Sequence, residues 1–216
     1  KSLEKQELKI KAFVSEQREF PAEEFIMAPG HSHSPTFKML IKKGVRFRHK
    51  GFAIGMRAEH PQELINRAQW GASGLCGVKA AEYRLACQNP GFLPVYTFCM
   101  CPGGKVVPAA PLEGLSVVNG VSDYQRNSPF ANAAVVAGFN LPNLLQKEIS
   151  VLESLSWLEN LEKSFFSLKN SYAVPAVRIK DFIKNRNSAS LPDSSFAFNL
   201  FSHDFKGLLP DAARNS

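Results

Sequence analysis

The chain is poor in cysteine, with four in 216 residues, too few for the disulfide framework of a small secreted domain. A reducing, cytoplasmic setting is the expectation. No apolar run approaches the roughly 18 residues that a membrane-spanning helix needs, and the charged opening KSLEKQELKIKAF does not resemble a secretory leader. With Lys at position 1, so abrupt an opening reads as a start inside a longer gene product. Signature motifs are missing too. There is no G-x-G-x-x-G after a strand and no G-x-x-x-x-G-K-[ST], which withholds the usual cradles for dinucleotide and nucleoside triphosphate phosphates. The nucleophile elbow G-x-S-x-G and the zinc helix H-E-x-x-H are also absent. No internal repeat or low-complexity tract occurs.

What is present is ordinary for a folded protein: 44% hydrophobic and 21% charged residues. The formal net charge is +7 and the sequence pI about 9.3, which favours an anionic partner. The cations are spread along the chain with modest clusters near residues 42–50 and 178–186. No RNA-binding, zinc-finger or basic-zipper signature accompanies them. Nucleic acid is therefore not the expected partner.

Alternating apolar patterns predict strands at residues 6–14, 45–59, 83–87, 115–119 and 133–139. The apolar run EEFIMAPGHS reads as a buried strand delivering a glycine loop, and a short helix is expected at 36–43. VYTFCMC and KVVPAA, joined through Pro-Gly-Gly, predict a hairpin over residues 95–110. Pro61 suits the first turn of a helix that continues through QELINRAQW. After Pro142 the apolar spacing becomes helical, through Leu144, Ile149, Leu152, Leu155, Leu158, Leu161 and Phe165, with a break expected near Ser156. A shorter helix is expected at 175–184, and loops thereafter. The fold class expected is α+β, an antiparallel sheet or partly closed barrel with a helical segment packed beside it.

Four segments carry candidate chemistry. Gly30, His31 and Ser32 place an imidazole and a hydroxyl at a strand end, where ligands collect in α/β folds; a capped turn also explains them. Cys99 and Cys101, two apart on a strand, are expected to share one face. They could be buried hydrophobes, ligand-facing thiols or, with Cys76 and Cys87, metal ligands, although the C-x-C spacing is tight for zinc. Gly103 and Gly104 after Pro102 strip side chains from a turn, so that a flat ligand could approach the backbone. Arg57 and Glu59 share a strand face beside His60 and could pair with each other, or Arg57 could face an anion. Asn119, Gly120, Asp123, Arg126, Asn127 and Asn132 form a dense polar stretch before an apolar strand.

Taken together, APGHSHSPTFKMLIKKGV, KGFAIGMRAEHPQELINRAQWG, YTFCMCPGGKVVPAA and VVNGVSDYQRNSPFANAAVV resemble the uncharacterised FAD-dependent dehydrogenases of bacteria. PAVRIKDFI and the late GLLP fit the same pattern. The resemblance runs from about residue 25 to 210. At His33, Ser34 and Pro35 the sequence departs from the family's usual small residue, Arg and Asp. The resemblance implies a parent with a dinucleotide-binding FAD domain and an inserted, strand-rich domain supplying the other wall of the active site. On that basis residues 1–38 would be the tail of the FAD domain. Residues 39–141 would be the β-rich insert, and 142–216 its helical segment and loops.

It also implies roles. Gly30, His31, Ser32, Gly103 and Gly104 would approach the flavin. His31, Cys99, Cys101 and Arg126 would serve catalysis, and Arg57, His60, Asn119 and Asn132 would bind substrate. The implied function is the substrate-side domain of an FAD-dependent oxidoreductase, moving a hydride between an organic substrate and flavin. FAD would be held by the parent and not tightly by this chain, whose partners would be the parent's FAD-binding domain and a small-molecule substrate. The competing reading is a non-catalytic binding or lid module whose basic surface meets an acidic partner. A small cysteine-based metal domain is the third.

Overall fold

The structure, a computed structural model, describes residues 12–14, 18–30 and 33–216. It divides into two compact units, Lys1–Arg48 and His49–Ser216. His31, Ser32 and most of the strand expected at residues 6–14 lie outside the described residues.

The first unit contains an antiparallel pair, β1 (Ala12–Val14) and β2 (Glu19–Pro21), and helix α1 (Ser34–Lys42) with Pro35 in its first turn. The buried strand expected in EEFIMAPGHS is not formed. Residues 24–30 are irregular, and Ile26 is 98% exposed. A strand needs a neighbour to satisfy its backbone, and no described strand pairs with this segment.

The second unit is built on β3 (Phe52–Pro61), α2 (Gln62–Trp70), β4 (Ala86–Cys87), β5 (Val95–Cys101), β6 (Gly104–Pro108), β7 (Val118–Ser122) and β8 (Phe130–Phe139). These are followed by α3 (Leu141–Leu145), α4 (Val151–Ser167), β9 (Val174–Ala176), α5 (Ile179–Ile183), β10 (Leu200–Ser202) and α6 (Asp211–Arg214). The main sheet has the order β3-β8-β5-β4, all antiparallel, and stays open. The fold is α+β with antiparallel sheets and, among the described residues, no closed barrel. The small β9–β10 pair is parallel.

Strand β8 owes its central place to FANAAVVAGF, whose small and β-branched residues suit a strand flanked on both sides. Ala131, Ala133, Val136, Ala137 and Phe139 are buried. Phe52 packs on Phe139 at 4.7 Å between ring centroids, and Trp157 of α4 closes on both. The helical segment therefore does pack beside the sheet.

Two local expectations are corrected. Strands β5 and β6 do not form a hairpin, because β5 pairs with β8 and β4 while β6 pairs with β7. The Pro-Gly-Gly turn instead passes the chain from one sheet to another. The helix after Pro142 is interrupted at Gln146, which takes φ 51, rather than near Ser156. It restarts at Ser150, whose side chain accepts from the Glu153 N–H while Glu153 accepts from the Ser150 N–H. This reciprocal cap fixes the boundary.

Candidate functional site

The polar end of the main sheet gathers segments that are far apart in sequence. Directly paired residues share a sheet face. The rows Arg57–Ala134–Phe98 and Glu59–Asn132–Cys101 thus place Arg57, Glu59, Asn132 and Cys101 on one face. The ion pair considered between Arg57 and Glu59 does not form. Glu59 instead accepts from the Ser195 N–H at 3.2 Å and from its hydroxyl. Arg57 Nη1 donates to Asn132 Oδ1 at 2.6 Å and to the Cys99 carbonyl at 3.2 Å, and Nη2 donates to Asn119 Oδ1 at 3.0 Å.

Among the described residues no carboxylate lies within ion-pair distance of Arg57. Its positive charge is therefore held by neutral oxygens and is not cancelled. Beside it two buried donors lack an acceptor, Arg57 Nε and Asn132 Nδ2, and Asn132 is 0% exposed. Buried donors left unpaired are uncommon and costly. A half-buried cation with unsatisfied donors around it is suited to an anionic or oxygen-bearing ligand.

Glycine makes this approach possible. A Cβ on Gly120 would lie 2.2 Å from Asn132 Oδ1 and 2.3 Å from Arg57 Nη1. Only a residue without a side chain lets β7 cross the guanidinium.

The two cysteines do not share a face. A register shift interrupts β5 between Phe98 and Cys101, and Cys99 takes φ 49. The bulge adds a residue and turns the alternation over. Cys99 is consequently exposed, whereas Cys101 is buried and donates to the Cys99 carbonyl at 3.3 Å. Burial pushes the Cys101 thiol up, with the nearby Arg57 pulling the other way. Cys101 is thus a protonated thiol at neutral pH. A non-glycine residue at positive φ stores of the order of 1–3 kcal/mol, and such strain clusters at functional sites. Among the described residues no three His, Cys, Asp or Glu side chains lie close enough to hold a metal ion.

The Cys-Pro-Gly-Gly turn is turned inward. The Gly103 N–H donates to Gln62 Oε1 at 2.7 Å, Ser122 Oγ donates to the Pro102 carbonyl, and the Gly103 carbonyl accepts from Ser128 N–H. A Cβ on Gly103 would meet the Arg126 carbonyl oxygen at 1.9 Å, and one on Gly104 would meet the Val121 oxygen at 2.5 Å. What these glycines admit is the protein's own backbone. Gly30, with φ 75, is exposed in the first unit, with open space around it.

Gln62 and Asn66, not among the candidate site residues read from the sequence, organise the site from below. Both are buried on α2. Gln62 Nε2 donates to the Ala81 carbonyl and Asn66 Oδ1, Asn66 Oδ1 also accepts from Ala81 N–H, and Asn66 Nδ2 donates to the Ser73 carbonyl. Through these bonds one helix face holds residues 73–81 and the glycine turn together. Their i,i+4 spacing is the signal that could have found them, since two amides on one buried helix face need partners. Arg126, with φ 53, bonds Glu82 at 3.5 Å across the same corner. His60 Nε2 meets the Tyr83 hydroxyl at 2.9 Å.

Of the residues singled out by their motifs, Arg57, Cys99, Cys101, Asn119 and Asn132 therefore meet directly. Gly103, Gly104 and Arg126 support them, and His60 stands at the end of the same strand. Residues 51–216 match the family described as FAD-dependent protein, C-terminal domain-like. An uncharacterised protein of Clostridium beijerinckii is 36% identical over 208 residues, which cover 94% of this chain. The aligned region spans 39% of that protein's length.

Proposed function

Because the chain belongs to the FAD-dependent protein, C-terminal domain-like family, we propose that it forms the substrate-side wall of an FAD-dependent oxidoreductase. The reaction proposed is transfer of a hydride between an organic substrate carrying an anionic group and the flavin, and the protein that performs it is a soluble, cytoplasmic dehydrogenase. The observation that carries this reading is Arg57, a guanidinium bound to neutral oxygens with unpaired buried donors beside it.

The flavin, when bound, supplies the hydride chemistry. Its pyrophosphate finds no Gly-rich strand-to-helix turn in this sequence. The residues present fit a wall facing substrate and flavin, and the phosphate cradle belongs to the partner domain of the same parent. The aligned share of the Clostridium protein leaves room for such a domain. Ile26, almost fully exposed in residues 24–30, suits a segment completed by that domain.

Within this wall Arg57 binds and orients the substrate anion. Asn119 and Asn132 hold the guanidinium so that little side-chain entropy remains to be lost on binding. The Cys99 carbonyl, turned by its positive φ, fixes the third direction. Gly103, Gly104 and Arg126 keep the bulge and the polar loop in register.

The test is Arg57→Gln in the flavin-loaded parent. The expected loss is roughly 100-fold in kcat/KM, about 2.7 kcal/mol, mainly through KM and with the flavin spectrum unchanged. An unaltered KM for the substrate would remove Arg57 from binding.

A further inference from the structure

The net charge of the chain is concentrated in one stretch. Between Glu24 and Glu59 the sequence holds seven of its 26 Lys and Arg and no Asp or Glu. The other 19 cations equal the 19 acids in number, so the whole formal charge of +7 resides there. Five of the seven, Lys38, Lys42, Lys43, Arg46 and Arg48, belong to the first unit. The function proposed above uses none of the five.

Local structure gathers them. Helix α1 ends in a glycine cap. Gly44 takes φ 86, its N–H donates to the Ile41 carbonyl at 3.0 Å, and the Val45 N–H reaches back to the Leu40 carbonyl at 3.0 Å. This pair of bonds needs a left-handed residue, a conformation that glycine adopts without strain. The chain then folds back along the helix, and the Phe47 ring meets the Phe37 ring edge-on at 6.1 Å between centroids. Arg46 and Arg48, on either side of Phe47, are thereby kept close to the helix that delivers Lys42 and Lys43.

This crowding of like charge is uncompensated. Among the described residues no carboxylate lies within ion-pair distance of Lys42, Lys43, Arg46 or Arg48, and all four are exposed. The carbonyl end of α1 favours cations in its last turn, which accounts for Lys42 and Lys43. Arg46 and Arg48 lie beyond that turn, where the helix dipole has faded. Apolar side chains stand among the charges. Met39 is 44% exposed and neighbours Lys42 and Lys43 on the helix surface. Val45, between Lys43 and Arg46, is 38% exposed. Cations interleaved with exposed apolar groups fit a partner that is anionic at its surface and apolar beneath. Shaped protein interfaces are depleted in lysine. An anionic bilayer instead responds to the number of cations near it, whatever their individual geometry.

We propose that residues 38–48 form a surface that adsorbs reversibly on membranes containing anionic lipid. Lys42, Lys43, Arg46 and Arg48 meet the headgroups, and Met39 and Val45 enter the interface. The attachment is peripheral: among the described residues no helix is long and apolar enough to cross a membrane. The inference goes beyond the flavin reading and does not depend on it.

Co-sedimentation of the full chain with vesicles tests it. Binding is expected at low salt to vesicles of equal parts phosphatidylglycerol and phosphatidylcholine. It should vanish on pure phosphatidylcholine, and in about 1 M salt, where charge is screened within about 3 Å. Replacing Lys42, Lys43, Arg46 and Arg48 together by Gln should lower the partition coefficient roughly 500-fold, about fivefold per cation. The charge-preserving set Lys42→Arg, Lys43→Arg, Arg46→Lys and Arg48→Lys should leave it within about twofold. Met39→Ser should lower it by a smaller factor, about threefold. Far-ultraviolet circular dichroism checks that each variant folds. A chain that ignores anionic vesicles, or sediments equally with neutral ones or after the Gln replacements, overturns the proposal. Capture by poly-glutamate but not by vesicles also overturns it, and assigns the surface to an acidic protein. The parent protein should bind anionic vesicles as the chain does. A parent that stays in solution shows this surface covered by the rest of the protein, and the membrane reading fails.

Discussion

The polar end of the main sheet and the helical segment at residues 141–167 are built by opposite rules. Helix α4 follows local ones: a reciprocal Ser150–Glu153 cap, apolar residues at helical spacing, and Trp157 packed on Phe52 and Phe139. None of its residues is fully buried. The polar end depends on contacts across 42 to 75 residues of sequence, from Arg57 to Cys99, Asn119 and Asn132. It places a cation and several amides where apolar groups would ordinarily sit. It also needs glycine at Gly103 and Gly120, where no Cβ fits. Such an arrangement costs stability. That cost, set beside a conventional helical region, is the physical ground for proposing a binding site in this corner.

Substitutions should separate the two regions by the size of their effects. Gly103→Ala is expected to be the most severe. It forces a side chain onto φ 52 and against the Arg126 carbonyl, and a loss of about 4 kcal/mol should appear in denaturant unfolding. A loss under about 1 kcal/mol would show that the turn relaxes freely, and the contrast would fail.

Gln62→Ala comes next. It strands the Gly103 N–H and the Ala81 carbonyl, at about 2–3 kcal/mol, and hydrogen exchange should lose protection at Gly103. If protection persists there, Gln62 is not the clamp. Ser150→Ala, in the helical region, should cost only about 1 kcal/mol and leave the polar end untouched. A loss comparable to that of Gln62→Ala would erase the distinction between the two regions.

Helices α4 and α2 and strand β8 are legible in the sequence because their signals are local: helical spacing, a proline before an amphipathic stretch, and a run of small and β-branched residues. The cap at Ser150 is equally readable as S-x-x-E before an apolar run. Pairing is not readable in the same way. The Pro-Gly-Gly signal correctly marks a reversal after Cys101, but whether the two flanking runs pair depends on β7 and β8, which are distant in sequence.

Cys99 and Cys101 fall on different faces because a bulge, invisible to strict alternation, inserts one residue. The site itself is legible only in pieces. Arg57, Asn119 and Asn132 stand out as polar residues in strand contexts, and the register of β3, β7 and β8 is what brings them together. Gln62 and Asn66 carry only a weaker mark, their i,i+4 spacing on α2, because a polar residue on a helix is usually solvated.

The most direct measurement is the visible absorbance spectrum of the purified parent protein that contains this chain, taken beside the spectrum of the chain alone. The account predicts a yellow parent whose flavin bands bleach anaerobically with substrate, and a colourless chain. A parent that stays colourless after FAD is added would contradict it, and would shift the reading to a binding module that uses the basic surface.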